Sequence, residues 1–187
     1  MGQDKASLPL PGGKLLASRR TFAEQLGTLL AGFCQEVVMV VREPEQNSTL
    51  HLPPSVRIVF DEVPDHGPLM GVYSGLRAIH SSHALIVAVD MPFVLPELLS
   101  FLLAQPLDDA MVVPIVCEVP QVLLALYPRS LLPLIEDRLQ AGRRDPRALL
   151  EFASVRYVEE GRLRQVDGEL RSFVNLNTPE ELGRYGL

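Results

Sequence analysis

Ala84-Leu85-Ile86-Val87-Ala88-Val89-Asp90-Met91-Pro92 is the stretch that decides the fold. Its six apolar residues run without a polar break and end on a carboxylate, which reads as a strand buried on both faces of a parallel sheet. Pro92 cannot donate to a ladder, so the strand is expected to end at that point. In open α/β sheets ligands bind just beyond the carboxyl ends of the strands, where an acid is placed to hold a metal over the site. Asp90 would serve equally well as the cap of the following helix. The stretch alone leaves both readings open.

Outward from it, apolar runs alternate with helical patterns. Upstream, residues 36–42 and 56–60 read as strands, the second ending at Asp61. Phe22, Leu26, Leu29 and Leu30 have helical spacing, and Thr21 with Glu24 three residues on makes a capping box. Residues 65–71 read as a loop entering a helix that runs to about His80. Downstream, the pattern predicts a helix over 98–103 with Pro96 near its first turn, strands over 110–114 and 121–126, and a helix over 130–141 closed by Gly142. It then predicts a short helix over 145–152, a strand over 155–158, and an extended segment over 173–176. Thr178-Pro179-Glu180-Glu181 would open a last short helix. Strands alternating with crossover helices imply an α/β fold with a largely parallel sheet covered on both faces. No linker or repeat divides the chain, so residues 1–187 are read as one domain. Residues 1–14 read as loop, and a fold of this kind normally opens with a core strand and a glycine-rich turn. That strand and turn are expected to be missing from the chain.

The bulk composition sets limits. At 187 residues roughly 70% of the unfolded surface can be buried, so no disulfide or metal staple is required. A formal net charge of −6 argues against nucleic acid and against an anionic membrane as partners, so an anionic substrate needs local cations. Cys34 and Cys117 lie far apart in no metal or redox spacing and read as buried, reduced thiols of a cytoplasmic protein. No apolar run is long enough to span a membrane.

Several short segments carry chemistry. Lys5 lies in the flexible stretch Met1-Gly2-Gln3-Asp4-Lys5-Ala6. The turn Gly67-Pro68-Leu69-Met70-Gly71 allows close backbone approach, at a helix start whose N–H groups favour anions. Asn175 and Asn177 fall on one face of an extended segment, and Arg143-Arg144 follows a helix end. Each has an ordinary structural use as well: a solvated lysine, a tight turn, amides bonded to their own backbone, cations at a helix C-terminus.

In this order, Asp4-Lys5, Gly67-Pro68-Leu69-Met70-Gly71, Asp90-Met91-Pro92 and Asn175-Leu176-Asn177-Thr178-Pro179-Glu180 resemble the molybdenum cofactor guanylyltransferases, the MobA-like branch of the nucleotidyltransferases. The family's leading Leu-Ala-Gly-Gly segment has no counterpart here. The resemblance implies a Rossmann-like, GT-A-like three-layer α/β sandwich with a mostly parallel sheet. It implies transfer of GMP from GTP to molybdopterin or molybdenum cofactor with release of pyrophosphate, using Mg²⁺. Lys5 matches the lysine on the nucleotide phosphates and Asp90 the magnesium-binding aspartate. Asp61, Gly67, Pro68, Leu69 and Gly71 match the nucleotide side. Asn175 and Asn177 match the cofactor side, and Arg143 and Arg144 are candidates for the cofactor's terminal phosphate. Other cofactor-biosynthesis proteins and molybdoenzymes would be the implied protein partners. Two alternatives stand beside this reading: cytidylyl transfer to the same acceptor, where the family's acid is typically followed by Gln-Pro rather than Met-Pro, and a non-catalytic module that binds and delivers nucleotide or cofactor.

Overall fold

The computed structural model describes residues 21–42 and 52–176. The first helix, α1 (Phe22–Ala31), starts on the expected capping box: the Thr21 hydroxyl accepts from the Glu24 N–H and the Glu24 carboxylate from the Thr21 N–H. Strands β1 (Val37–Val41) and β2 (Val56–Phe60) pair in parallel, Val37 opposite Val56 and Val41 opposite Phe60. Helix α2 (Pro68–Ala78) then returns along the sheet. Its start lies near Asp61 at the end of β2, where a side chain on Gly71 would come 3.8 Å from the Asp61 carboxylate. Its end lies at the opposite edge, where Arg57 donates to the Ala78 carbonyl and the His80 N–H to Glu36. Strand β3 (His83–Val87) starts at that edge and so runs parallel to β1 and β2, as a right-handed crossover requires.

The second half is mixed. After α3 (Pro96–Leu103) come β4 (Met111–Val116), the short β5 (Val119–Pro120) and β6 (Leu124–Pro128), then α4 (Leu132–Gln140), β7 (Val155–Val158) and α5 (Glu160–Leu163). The order is β3-β6-β4-β5, with β7 on β4. The β4–β7 pair is parallel, as expected where a helix intervenes. β6 runs antiparallel to both β3 and β4, and β5 antiparallel to β4. The expected near-uniform parallel direction fails here because the tight turn at Cys117-Glu118 reverses the chain after β4, and β5 and β6 both run back along it.

Alternation along the strands covers both faces. Met111, Val113, Ala125 and Tyr127 join α2 and α4 in one core, and Val112, Leu124 and Leu126 join α3 and α5 in the other. This is the three-layer arrangement of helices, sheet and helices. Other expectations shift. The strand expected over 121–126 lies at Leu124–Pro128, because Gln121 is spent on the turn, its side chain donating to the Val119 carbonyl. The helix over 130–141 begins with a 3-10 turn at Arg129–Leu131, and α5 had no periodic signal in four residues. Of the segment expected to be extended over 173–176, Phe173 closes a 3-10 turn (Arg171–Phe173), and the extended backbone starts at Val174. Cys117 is exposed rather than buried, in a turn where its own φ and that of Glu118 are positive.

The strand that opened the reading also differs. It ends at Val87, and Asp90 lies beyond it in a turn closed by the Met91 N–H to the Ala88 carbonyl. It is also half-buried along its whole length, although its side chains enter both cores, Ala84 and Ile86 one, Leu85 and Val87 the other. Among the described residues no helix is long and apolar enough to cross a membrane.

The buried Tyr127 hydroxyl donates to the Val122 carbonyl at 2.7 Å and pins the turn into β6. Tyr127→Phe should leave that carbonyl unpaired and lower the unfolding free energy by about 1–2 kcal/mol, read from a urea titration at unchanged slope.

Candidate active site

The carboxyl ends of β1, β2 and β3 share one edge of the molecule, and most of the described candidate residues collect there. Asp61 directly follows β2, its N–H bonded to the Val41 carbonyl at 2.9 Å. Its side chain turns inward under the first turn of α2. Burial pushes the Asp61 carboxyl above its ordinary value, against the Ser74 hydroxyl and the charge of Arg42, which pull it down. Ser74 accepts from the Glu62 N–H, which leaves its own proton for Asp61. Asp61 Oδ1 is buried and finds no hydrogen-bond partner among the described residues. A buried carboxylate oxygen in that state is costly without a donor, so its geometry suits a ligand that brings one. Sequence reasoning passed over Arg42 and Ser74. Arg42 was legible as the first polar residue after an apolar strand, the same signal that marked Asp90.

Position 67 needs glycine. Its φ of 78° and ψ of −178° lie in a region closed to side chains, and a Cβ would meet the Arg144 Cβ at 2.9 Å. That close approach lets the Leu69 N–H donate to the Arg144 carbonyl at 2.9 Å. The Arg143-Arg144 segment is therefore tied to the α2 start, and both arginine side chains are exposed there. Neither makes an ion pair with another described residue. The expected cradle of helix N–H groups is not present as drawn from the sequence. Pro68 has no N–H, that of Leu69 is used by Arg144, and that of Met70 by the Gly67 carbonyl at 3.1 Å. The turn instead holds the arginine segment in place, with the half-buried Asp61 beneath the first turn of α2.

Asp90 is held from three directions. The Met91 N–H closes its turn, the Gln25 amide of α1 donates to the Pro92 carbonyl at 3.3 Å, and the Leu176 N–H donates to the Asp90 carbonyl at 2.9 Å. It does not cap α3, whose N-cap is Leu95; the Leu95 N–H goes to the buried Ser172 hydroxyl. Ser172 is in turn fixed by the buried Asp167 carboxylate, which accepts from the Ser172 and Arg171 N–H groups. This chain of bonds brings the exposed Asn175 beside Asp90. Lys5 and Asn177 lie outside the described residues.

No cluster of three or more metal-type side chains occurs among the described residues. That donor set does not build a metal cage, but it fits Mg²⁺, which takes one or two carboxylates and completes its shell with substrate phosphates and water.

Gly67→Ala should cost at least about 1–2 kcal/mol in thermal or urea unfolding and release the Arg144 segment. Faster amide exchange at Leu69 than in the parent would report the release.

Comparison with known proteins identifies the family and the fold. Residues 1–160 match the family described as the MobA-like NTP transferase domain. A probable molybdenum cofactor guanylyltransferase of Methanosarcina mazei is 34% identical over 172 residues, 88% of this chain and 77% of the relative. One of Chloroflexus aggregans is 35% identical over 188 residues, 97% of this chain and 85% of the relative. Among solved structures, molybdopterin-guanine dinucleotide biosynthesis protein A of Archaeoglobus fulgidus superposes with a TM-score of 0.78 at 29% identity, covering 98% of this chain and 89% of that one. A 2-C-methyl-D-erythritol 4-phosphate cytidylyltransferase of Thermus thermophilus, 18% identical with a TM-score of 0.67, covering 96% of this chain and 91% of that one, shares the Rossmann-like fold. With the family match spanning most of its length, and such relatives aligned along nearly all of it, the chain belongs to the MobA-like NTP transferase domain family.

Proposed function

We propose that the chain transfers GMP from GTP to molybdopterin or molybdenum cofactor. An oxygen of the acceptor's terminal phosphate forms a bond to the α-phosphorus as the bond to the β-phosphate breaks. Molybdopterin guanine dinucleotide and pyrophosphate are the products. The observation that carries the reading is the convergence on one sheet edge of Asp61, with its unpartnered buried oxygen, the Gly67 turn that ties in Arg144, and the anchored Asp90.

Each residue has a role that follows from its chemistry. The acceptor phosphate is already ionised near neutral pH, so no general base is needed. The task is to align two anions and to absorb charge. Asp61 offers a desolvated acceptor to the nucleoside. Guanine presents two adjacent N–H donors to such a carboxylate and cytosine a single amine, which supports GTP over CTP. Arg143 and Arg144 are placed to pair with phosphate oxygens, which guanidinium groups hold in a fixed fork. Asn175, next to the Leu176 N–H that holds Asp90, would face the acceptor, and Asn177, two positions further in the sequence, would join it. Lys5 would add a point charge on the nucleotide phosphates. Asp90 would hold Mg²⁺, which when bound supplies charge neutralisation at the pyrophosphate.

Asp90→Asn should abolish Mg²⁺-dependent release of pyrophosphate from GTP and molybdopterin, a loss of at least a hundredfold. Activity within threefold of the parent would overturn the assignment. Asp61→Asn separates stability from binding. The folded-state pKa of Asp61 is raised, so the ionised carboxylate costs stability above that pKa and nothing below the unfolded value near 4. The variant should therefore melt no lower than the parent at pH 7, with the difference vanishing at low pH. It should also bind GTP at least tenfold more weakly and lose its preference over CTP, measured by calorimetric titration.

A further inference from the structure

A buried hydroxyl on α2 is turned away from its own helix. Ser74 lies in the middle of α2 with 2% of its surface exposed. A serine or threonine inside a helix commonly donates to the carbonyl four residues back. Thr28 does so to Glu24 in α1, and Ser100 to Pro96 in α3. Among the described residues Ser74 makes no such bond. Its oxygen accepts from the Glu62 N–H at 3.1 Å, and its own proton goes to the Asp61 carboxylate.

Which oxygen it reaches follows by elimination. Asp61 Oδ1 has no hydrogen-bond partner among the described residues, so the Ser74 bond falls on Oδ2. Residues 61 and 62 thereby grip one hydroxyl of α2 from two sides, the first as acceptor and the second as donor. Gly71 stands one turn earlier on α2, where a Cβ would lie 3.8 Å from Oδ1, at ordinary contact distance. The helix therefore offers a donor to one oxygen and bare backbone to the other. The last torsion of a carboxylate is broad and two-fold, so its oxygens exchange places unless one is held. Ser74 supplies the hold. Arg42, at the end of β1, is the charged group that faces Asp61, while Gly71 and Ser74 do not titrate. The neighbouring Glu62 carboxylate is engaged by Arg77 at 2.7 Å.

We infer that Ser74 is a positioning residue, which fixes the plane of the Asp61 carboxylate and keeps Oδ1 available to the incoming nucleoside. The inference rests on the proposed role of Asp61 in binding GTP. A carboxylate held in one orientation has less freedom to lose when a ligand arrives, so the hydroxyl contributes to affinity without touching the ligand. The same bond favours the charged form, and so helps to keep Asp61 an acceptor where burial opposes its charge.

The test compares Ser74→Ala, Asp61→Asn and the double variant of the full chain by calorimetric titration with GTP and Mg²⁺. Ser74→Ala should bind GTP at least fivefold more weakly than the parent. Added to Asp61→Asn it should change binding by less than twofold, because the hydroxyl acts through the carboxylate. The same loss in both backgrounds, or parent-like binding by Ser74→Ala, would overturn the inference. Carboxyl-carbon NMR without ligand reads the bond itself. Asp61 should titrate at higher pH in Ser74→Ala than in the parent, since a donor to its charged form is lost. An unmoved titration would also overturn the inference. Parent-like GTP binding by Asp61→Asn is a different failure: it would overturn the role of Asp61, and the inference with it, even where the titration shows the bond to be present.

Discussion

The antiparallel ladder from His83–Pro128 to Val87–Leu124 holds the two halves of the molecule together. On one side of it lie the parallel strands and α2, which build the Asp61 end. On the other lie β4, β7 and the helices that anchor Asn175. Because side chains alternate across a strand, each residue of this ladder commits its neighbour to the opposite core. A one-residue slip would send Tyr127, whose hydroxyl is satisfied by the Val122 carbonyl, into the wrong layer. The register of β3 against β6 thus fixes where the turn after β3 emerges, and with it where Asp90 stands.

Local chemistry was read well from the sequence wherever a few neighbouring residues decide it. The Thr21–Glu24 box, the β1 and β2 strands and Pro68 at the α2 start all rest on contacts within a few positions, and all are present. What failed rests on distance. The direction of β6 depends on pairing with a strand some forty residues away, which periodicity does not encode. The N–H groups at the start of α2 were counted as free because the Arg144 carbonyl that takes one lies far along the chain. For the same reason Asp61 was found by its place at a strand end, whereas its burial and orphaned oxygen emerged only from the packing of Gly71 and Ser74 around it.

The site is electrostatically demanding. The chain carries a net charge of −6, and its candidate edge would present two carboxylates to a proposed pair of polyanions. Cations must be concentrated locally: Arg42 beside Asp61, and Arg143 and Arg144 on the adjoining loop. The loop is held by backbone rather than by salt bridges, which leaves the guanidinium groups available. Elsewhere arginines are consumed in exposed pairs such as Arg156 with Asp108 and Arg147 with Asp145, which contribute little to stability.

The hydrogen bond from Leu176 to the Asp90 carbonyl has a temporal consequence. Proteins emerge from the ribosome N-terminal end first, and early segments begin to fold before later ones exist. β1, β2 and α2 can therefore assemble while Asp90 still lacks its anchors. The turn is completed only when residues 167–176, ordered by Asp167 and Ser172, dock against it. Nascent chains of intermediate length would hold the acid in a loosely defined position. In order of synthesis the scaffold precedes the working geometry, and a long interval of translation separates the two.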